Sequence, residues 1–147
     1  MTEAVRPGNV LFYDISRFRA QLFDRLIGAH GLTTSQAMVL AHLYKEDKLR
    51  QTEIARRMDV GNVTIGGLVD RLEARGLVER QDDENDRRAK RVCLLEPSRA
   101  MGRIMKKYEA EVNKATYAGL SDTEVETLMA TLNKVRKNLS GALQPAD

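Results

Sequence analysis

QTEIARRMDVGNVTIGGLVDRLEARGLVERQDDENDRRAKRVCLL, residues 51–95, is the stretch on which the fold turns. Residues 51–59 read as a short helix with Ile54, Ala55 and Met58 on one face, and Val60-Gly61 as a turn. A second helix over 62–75 carries Ile65, Leu68, Val69 and Leu72 at steps of three and four, the period of an amphipathic helix. Gly76 stops it. After Gly76 the period shifts to that of strands: 77–80 and 91–95 are short apolar runs flanking a charged loop, 81–90, which predicts a hairpin with a long tip.

Working outward, Leu11, Ile15, Phe18, Leu22 and Leu26 predict a helix over 9–29, ended by His30-Gly31. Thr33-x-x-Gln36 is a capping box opening a helix that turns Val39, Leu40 and Leu43 inward, and the polar stretch 45–50 breaks the pattern. On the other side, Pro97 suits a first helical turn. A long helix follows with Met101, Ile104, Met105, Tyr108, Val112 and Ala115 on one stripe, up to Gly119. A second capping box, Ser121-x-x-Glu124, starts a last helix bearing Val125, Leu128, Leu132, Val135 and Leu139 in unbroken 3-4 spacing. The apolar stripes of the first and last two helices exceed what one small core can cover. A homodimer in which these helices interleave is the economical solution, with an intramolecular bundle as the alternative. The expected fold class is mainly α with a small β-hairpin. The expected organisation is one domain, 1–147, with a DNA-binding lobe over 33–95 and dimerisation helices over 9–29 and 97–143.

Composition narrows the function. The chain has 147 residues, 42% hydrophobic and 31% charged, with 5% aromatic residues and a net charge of +3. That is ordinary for a globular protein and suits helices better than a sheet-based core. Cys93 is the sole cysteine, so no intrachain disulfide and no cysteine-rich zinc site can form. The leading MTEAVRPGNV lacks the pattern of a secretory signal, and no apolar run approaches the roughly 18 residues of a membrane span. A cytoplasmic location without membrane partners is expected. There is no phosphate-binding Gly loop, no H-E-x-x-H and no catalytic or metal cluster, so neither enzyme activity nor a cofactor is expected.

A helix, a tight turn, a helix and a charged hairpin form a helix-turn-helix with a wing. The second helix fits the major groove of duplex DNA and its first residues reach base edges. Here these are Asn62, Thr64 and Gly66-Gly67. Asn pairs with adenine, and Thr touches a thymine methyl or donates a hydrogen bond. The tip carries Arg87, Arg88, Lys90 and Arg91, a shape and charge suited to the minor groove. Against this, 82–91 also holds Asp82, Asp83, Glu84 and Asp86, so the local charge sums to zero, as in a merely solvated loop. That balance is what favours the alternative of a winged-helix protein-interaction module without DNA. Cys93 reads as a small hydrophobe before a redox sensor.

LTTSQAMVLAHL (32–43), QTEIARRMDV (51–60), LVDRLEARGLVER (68–80) and DENDRRAKRVCL (83–94) resemble the MarR family, most closely its SlyA-like branch, over essentially the whole chain. The resemblance implies a homodimeric transcriptional regulator, more often a repressor, on a pseudo-palindromic operator. It places the wing's Asp-x-Arg motif on Asp86-Arg87-Arg88, making Arg88 the minor-groove arginine, with Asp86 orienting its guanidinium or pairing with Arg71. Thr64 matches a base-facing hydroxyl, with Asn62 its neighbour. It also implies regulation by a small effector held between the dimer helices and the lobe: a phenolic or other anionic aromatic compound, or an acyl-CoA thioester. By position, Tyr13, Arg17, Met38 and His42 would line such a cleft. The chain departs from the family pattern at Gly67, where a polar contact residue is common, at Leu95, and at Arg50, which replaces a small capping residue.

Overall fold

A computed structural model describes residues 8–145; the leading segment read for a secretory signal, 1–7, and the last two residues of the expected domain lie outside it. The chain divides into two compact units, residues 1–112 and 113–147. No helix among the described residues is long and apolar enough to cross a membrane.

The first unit runs α1 (Asn9–Gly28), α2 (Thr34–Lys45), β1 (Leu49–Arg50), α3 (Gln51–Met58), α4 (Asn62–Ala74), β2 (Val78–Asp82), β3 (Lys90–Leu94) and most of α5 (Ser98–Thr116). Both halves of the Thr33 capping box form: Gln36 N donates to the Thr33 hydroxyl, and Thr33 N to the Gln36 side chain. The inward faces of α2, α3 and α4 bury Val39, Leu40, Leu43, Ile54, Ile65, Val69 and Leu72 completely or nearly so, together with Val78 and Val92 from the sheet. Each such side chain contributes about 1.5–3 kcal/mol of hydrophobic burial. Asp59, in the left-handed region at φ 53°, turns α3 into α4, a conformation Asp tolerates better than most residues. Gly76 adopts φ 68° at the end of α4, while Leu77 N reaches back to Leu72 O.

Two expectations are corrected. The hairpin is part of a three-stranded antiparallel sheet, ordered β1-β3-β2. Residues 45–50, read from their polarity as a break, end in β1, too short to show a period: Leu49 pairs with Val92 and Arg50 with Arg91. The strands β2 and β3 also run further toward the tip than 77–80 and 91–95. They continue to the facing pair Asp82 and Lys90, whose opposite charges form a cross-strand ion pair.

The wing is tied down by one side chain. The Asp83 carboxylate is fully buried. It accepts two hydrogen bonds from the Arg50 guanidinium, each 3.0 Å long, and an ion pair of 2.6 Å from Arg91. The backbone N–H groups of Asn85 and Asp86 add two more, at 2.9 and 3.1 Å. The Arg50 hydrogen bonds first, then the Asn85 amide, hold this carboxyl well below the usual carboxylate range against the opposing effect of burial. Arg50 thus serves the wing where the family has a small cap, and α3 begins without a side-chain cap. A second tie runs from β2 to α4: Arg80 donates to Gly66 O and to the Gln51 side chain, both at 3.1 Å, and pairs with Asp70 at 2.7 Å.

In the second unit, Gly119 at φ 80° ends the turn after α5, and the Ser121 capping box opens α6 (Asp122–Ala142) as expected. No residue of α6 is buried. Val125, Leu132 and Val135 are half-buried, and Leu128 and Leu139 are exposed.

Two outcomes follow for stability. The Gly67 Cβ position meets nothing within 4 Å, so Gly67→Ala should raise the unfolding free energy by about 0.5–1 kcal/mol in chemical denaturation. For Asp83, a depressed folded-state pKa stabilises the fold above the ordinary carboxylate pKa near about 4 and ceases to do so as pH falls through the folded-state value. Asp83→Asn should therefore lower Tm most at neutral pH. The gap to the parent should narrow progressively below about pH 4.

Candidate nucleic-acid interface

Helix α4 buries Ile65, Leu68, Val69 and Leu72, and at about 100° per residue the opposite face is centred on residue 63. Asn62 and Thr64 flank that crest, both exposed, and Gly67 continues it one turn on, also exposed. Neither Asn62 nor Thr64 caps the helix. The N-cap is Gly61, which has no side chain to offer, so the first-turn N–H groups are free of a side-chain acceptor. Uncapped amides at a helix start attract anions such as phosphate. Arg71 is exposed on the same helix and has no ion-pair partner among the described residues.

The wing tip resolves the charge balance that the sequence left at zero. Asp83 is consumed at the base by Arg50 and Arg91, and Asp82 by Lys90. Lys90, expected at the interface, is therefore engaged within the sheet. Asp86 accepts from the Arg88 backbone N–H at 3.0 Å. This corrects the expectation that it would orient the Arg88 guanidinium or pair with Arg71: a short carboxylate two residues upstream reaches the amide of a tight turn before the far end of the side chain. Arg87 and Arg88 remain exposed, without an acidic partner among the described residues. Glu84 and Asp86 stay beside them as exposed acids.

The four residues expected to line an effector cleft are not brought together. A cleft of about 350 Å³ lies between α1, α2 and α5, lined by Phe23, Ala37, Met38, Ala41, Met105 and Val112, with Arg19, Thr34 and Glu109 as its polar groups. Met38 belongs to it. Tyr13 is exposed, and Arg17 is bound to Asp14 at 2.9 Å and stacked over Phe18 at 4.4 Å. His42 stands outside the lining. Partial burial first, then Lys45 and Arg57, lower its pKa, so it is neutral at physiological pH. Cys93 is buried, and burial pushes its thiol up, which makes it a poor nucleophile.

Sequence reasoning missed Arg50, Asp83, Arg80 and Val63. The first three were invisible because their partners lie far along the chain. Val63 was within reach, since 100° per residue places it opposite the buried stripe.

The geometry meets its relatives here. The family model described as "MarR family" matches residues 30–89, which span α2 to the wing tip. A probable transcriptional regulator from Pseudomonas aeruginosa is 31% identical, with a TM-score of 0.77 over 88% of this chain and 97% of that one. A MarR transcriptional regulator from Methanosarcina mazei Go1 superposes with a TM-score of 0.84 at 25% identity, over 92% of this chain and 97% of that one. MepR of S. aureus, solved as a complex with DNA, gives 0.79 at 26% identity, over 90% and 97%. With its winged helix-turn-helix and these matches across nearly its full length, the chain belongs to the MarR family of DNA-binding transcriptional regulators.

Proposed function

We propose that two copies of this chain bind a pseudo-palindromic operator and repress transcription, with α4 in the major groove and Arg88 in the adjacent minor groove. The observation that carries this reading is the wing tip: Arg87 and Arg88 have no acidic partner among the described residues, while Lys90 and Arg91 are held by Asp82 and Asp83. Asn62 and Thr64 flank the reading face, Gly67 extends it, and Arg71 is placed to meet phosphate. MepR, similar in fold and solved with DNA, supports DNA as the partner of this lobe.

Pairing of the two copies is supported by the helices outside the lobe. On α1, Val10, Leu11, Phe12, Tyr13, Ile15 and Phe18 are all exposed in the single chain, and α6 buries nothing. Large apolar side chains exposed in this number on one helix mark an association surface. Expected half-sites then lie about one helical turn, roughly 34–36 Å, apart.

The cleft between α1, α2 and α5 suits a small anionic or aromatic effector, with Arg19 at its rim. One face of α2 lines it through Ala37, Met38 and Ala41, while Val39, Leu40 and Leu43 on the other sides of α2 pack in the core that carries α4. A ligand that shifts α2 would move the reading helix, provided it binds one geometry better than the other.

Titrating labelled operator duplex at several salt concentrations tests the proposal. Log affinity should fall with log salt by roughly 0.9 for each neutralised phosphate. Arg88→Ala should weaken binding by roughly 1–3 kcal/mol. Parent-like affinity of Arg88→Ala at moderate salt would remove the wing from the interface. Sedimentation should give a dimer, and a monomer would remove the pairing.

A further inference from the structure

Val63 is the most exposed large apolar side chain among the described residues, at 92%. It sits in the first turn of α4, the part of such a helix that enters the groove, directly opposite the buried stripe. The polar neighbours Asn62 and Thr64 are each rotated about 100° away from it. One turn further along the same crest stands Gly67, whose missing side chain leaves open space: a Cβ there would meet no atom within 4 Å.

This pairing is hard to explain by folding. A β-branched residue in a fully exposed helical position loses side-chain freedom without gaining contacts, and a helical glycine costs up to about 1 kcal/mol relative to alanine. The neighbouring Gly66 has local company, since Gln51 lies 3.5 Å from its Cβ position and its carbonyl accepts from Arg80. Gly67 has none. The crest from 63 to 67 therefore offers a branched apolar knob followed by a bare backbone step, and no hydrogen-bond donor or acceptor at its centre. The base-edge feature in the major groove that matches an apolar knob is the C5 methyl of thymine. The bare step lets the helix backbone come closer to the bases than any side chain there would allow.

We infer that Val63 is a specificity-determining residue that reads a thymine methyl in each half-site, and that Gly67 admits the close approach this contact needs. The inference rests on the placement of α4 in the major groove proposed above, and deepens it by naming what the crest recognises.

Full-length protein is first used to select bound duplexes from a random-sequence pool. Each thymine of the recovered operator is then replaced in turn by deoxyuridine, which removes the methyl alone. Affinities are measured for the parent, Val63→Ala and Gly67→Ala. For the parent, one thymine in each half-site should be uracil-sensitive, losing about four-fold per half-site, the effect of one buried methyl-sized group. Val63→Ala should bind the thymine and uracil duplexes equally while remaining as sensitive to Arg88→Ala as the parent. Gly67→Ala should bind the operator less tightly although its fold is the more stable. Uracil sensitivity at no position would overturn the inference, and so would sensitivity that persists unchanged in Val63→Ala, which would assign the methyl to Thr64. Gly67→Ala binding as tightly as the parent would remove the close approach. Recovery of no bound duplex would instead overturn the DNA-binding mode itself, a result distinct from all of these.

Discussion

The geometry of the winged lobe hangs on one carboxylate that water does not reach. Asp83 gathers two arginines and two backbone amides at the point where strand β2 gives way to the wing tip. Moving a charge out of water is costly, and an apolar replacement for a buried ion pair is often as stable. What an apolar cluster cannot supply is direction. A bidentate guanidinium bond fixes both distance and plane, so Arg50, at the start of α3, dictates where the tip sits relative to the helices. Arg80 performs the matching task one layer away, binding the backbone of α4 from β2. Helix pair and wing are thereby tied together at two points.

The same arrangement makes a stretch of zero net charge compatible with the polyanion proposed as its partner. Asp82 and Asp83 hold Lys90 and Arg91, and Arg87 and Arg88 project without an acidic partner among the described residues. Glu84 and Asp86 remain as exposed acids beside them, and such neighbours temper non-specific attraction to phosphate. Long-range attraction is weak under these conditions, since charges a Debye length of about 8–10 Å apart are screened at physiological salt. Discrimination then depends on contact geometry more than on bulk charge, which suits a chain whose total surplus is only +3.

Much of this was legible in the sequence, and the reasons are specific. Apolar spacing located every helix, because Ile65, Leu68, Val69 and Leu72, or Val39, Leu40 and Leu43, are patterns that local geometry imposes. Capping boxes at Thr33 and Ser121 gave two helix starts to the residue, since their chemistry is confined to four positions. Strand β1 was not legible: two residues cannot display a period, and its pairing with β3 is decided some forty positions away. Asp83 looked like one of four equivalent acids, and only folding distinguishes it by bringing Arg50 alongside. The cleft failed for a related reason. Helical phase shows which residues share a face, but which neighbouring helix covers that face is a tertiary fact, so Met38 lines the cleft between α1, α2 and α5 while Tyr13, Arg17 and His42 lie outside it.

The places where sequence and fold disagree about local propensity are themselves informative. Helix α4 would be more stable with alanine in its middle, yet it keeps two adjacent glycines and begins with an uncapped first turn and an exposed valine. Gly66 is accounted for by the packing of Gln51 and the reach of Arg80; Gly67, Val63 and the bare N-terminus are not accounted for by anything inside the chain. Sequences that fold well are consistent across levels, and departures cluster where a surface must fit something else. Three such departures in one helix, beside a wing tied down through one buried carboxylate, point to a surface shaped from outside. In the proposed binding mode, the features that weaken α4 as a helix are the ones that fit it to the floor of a groove.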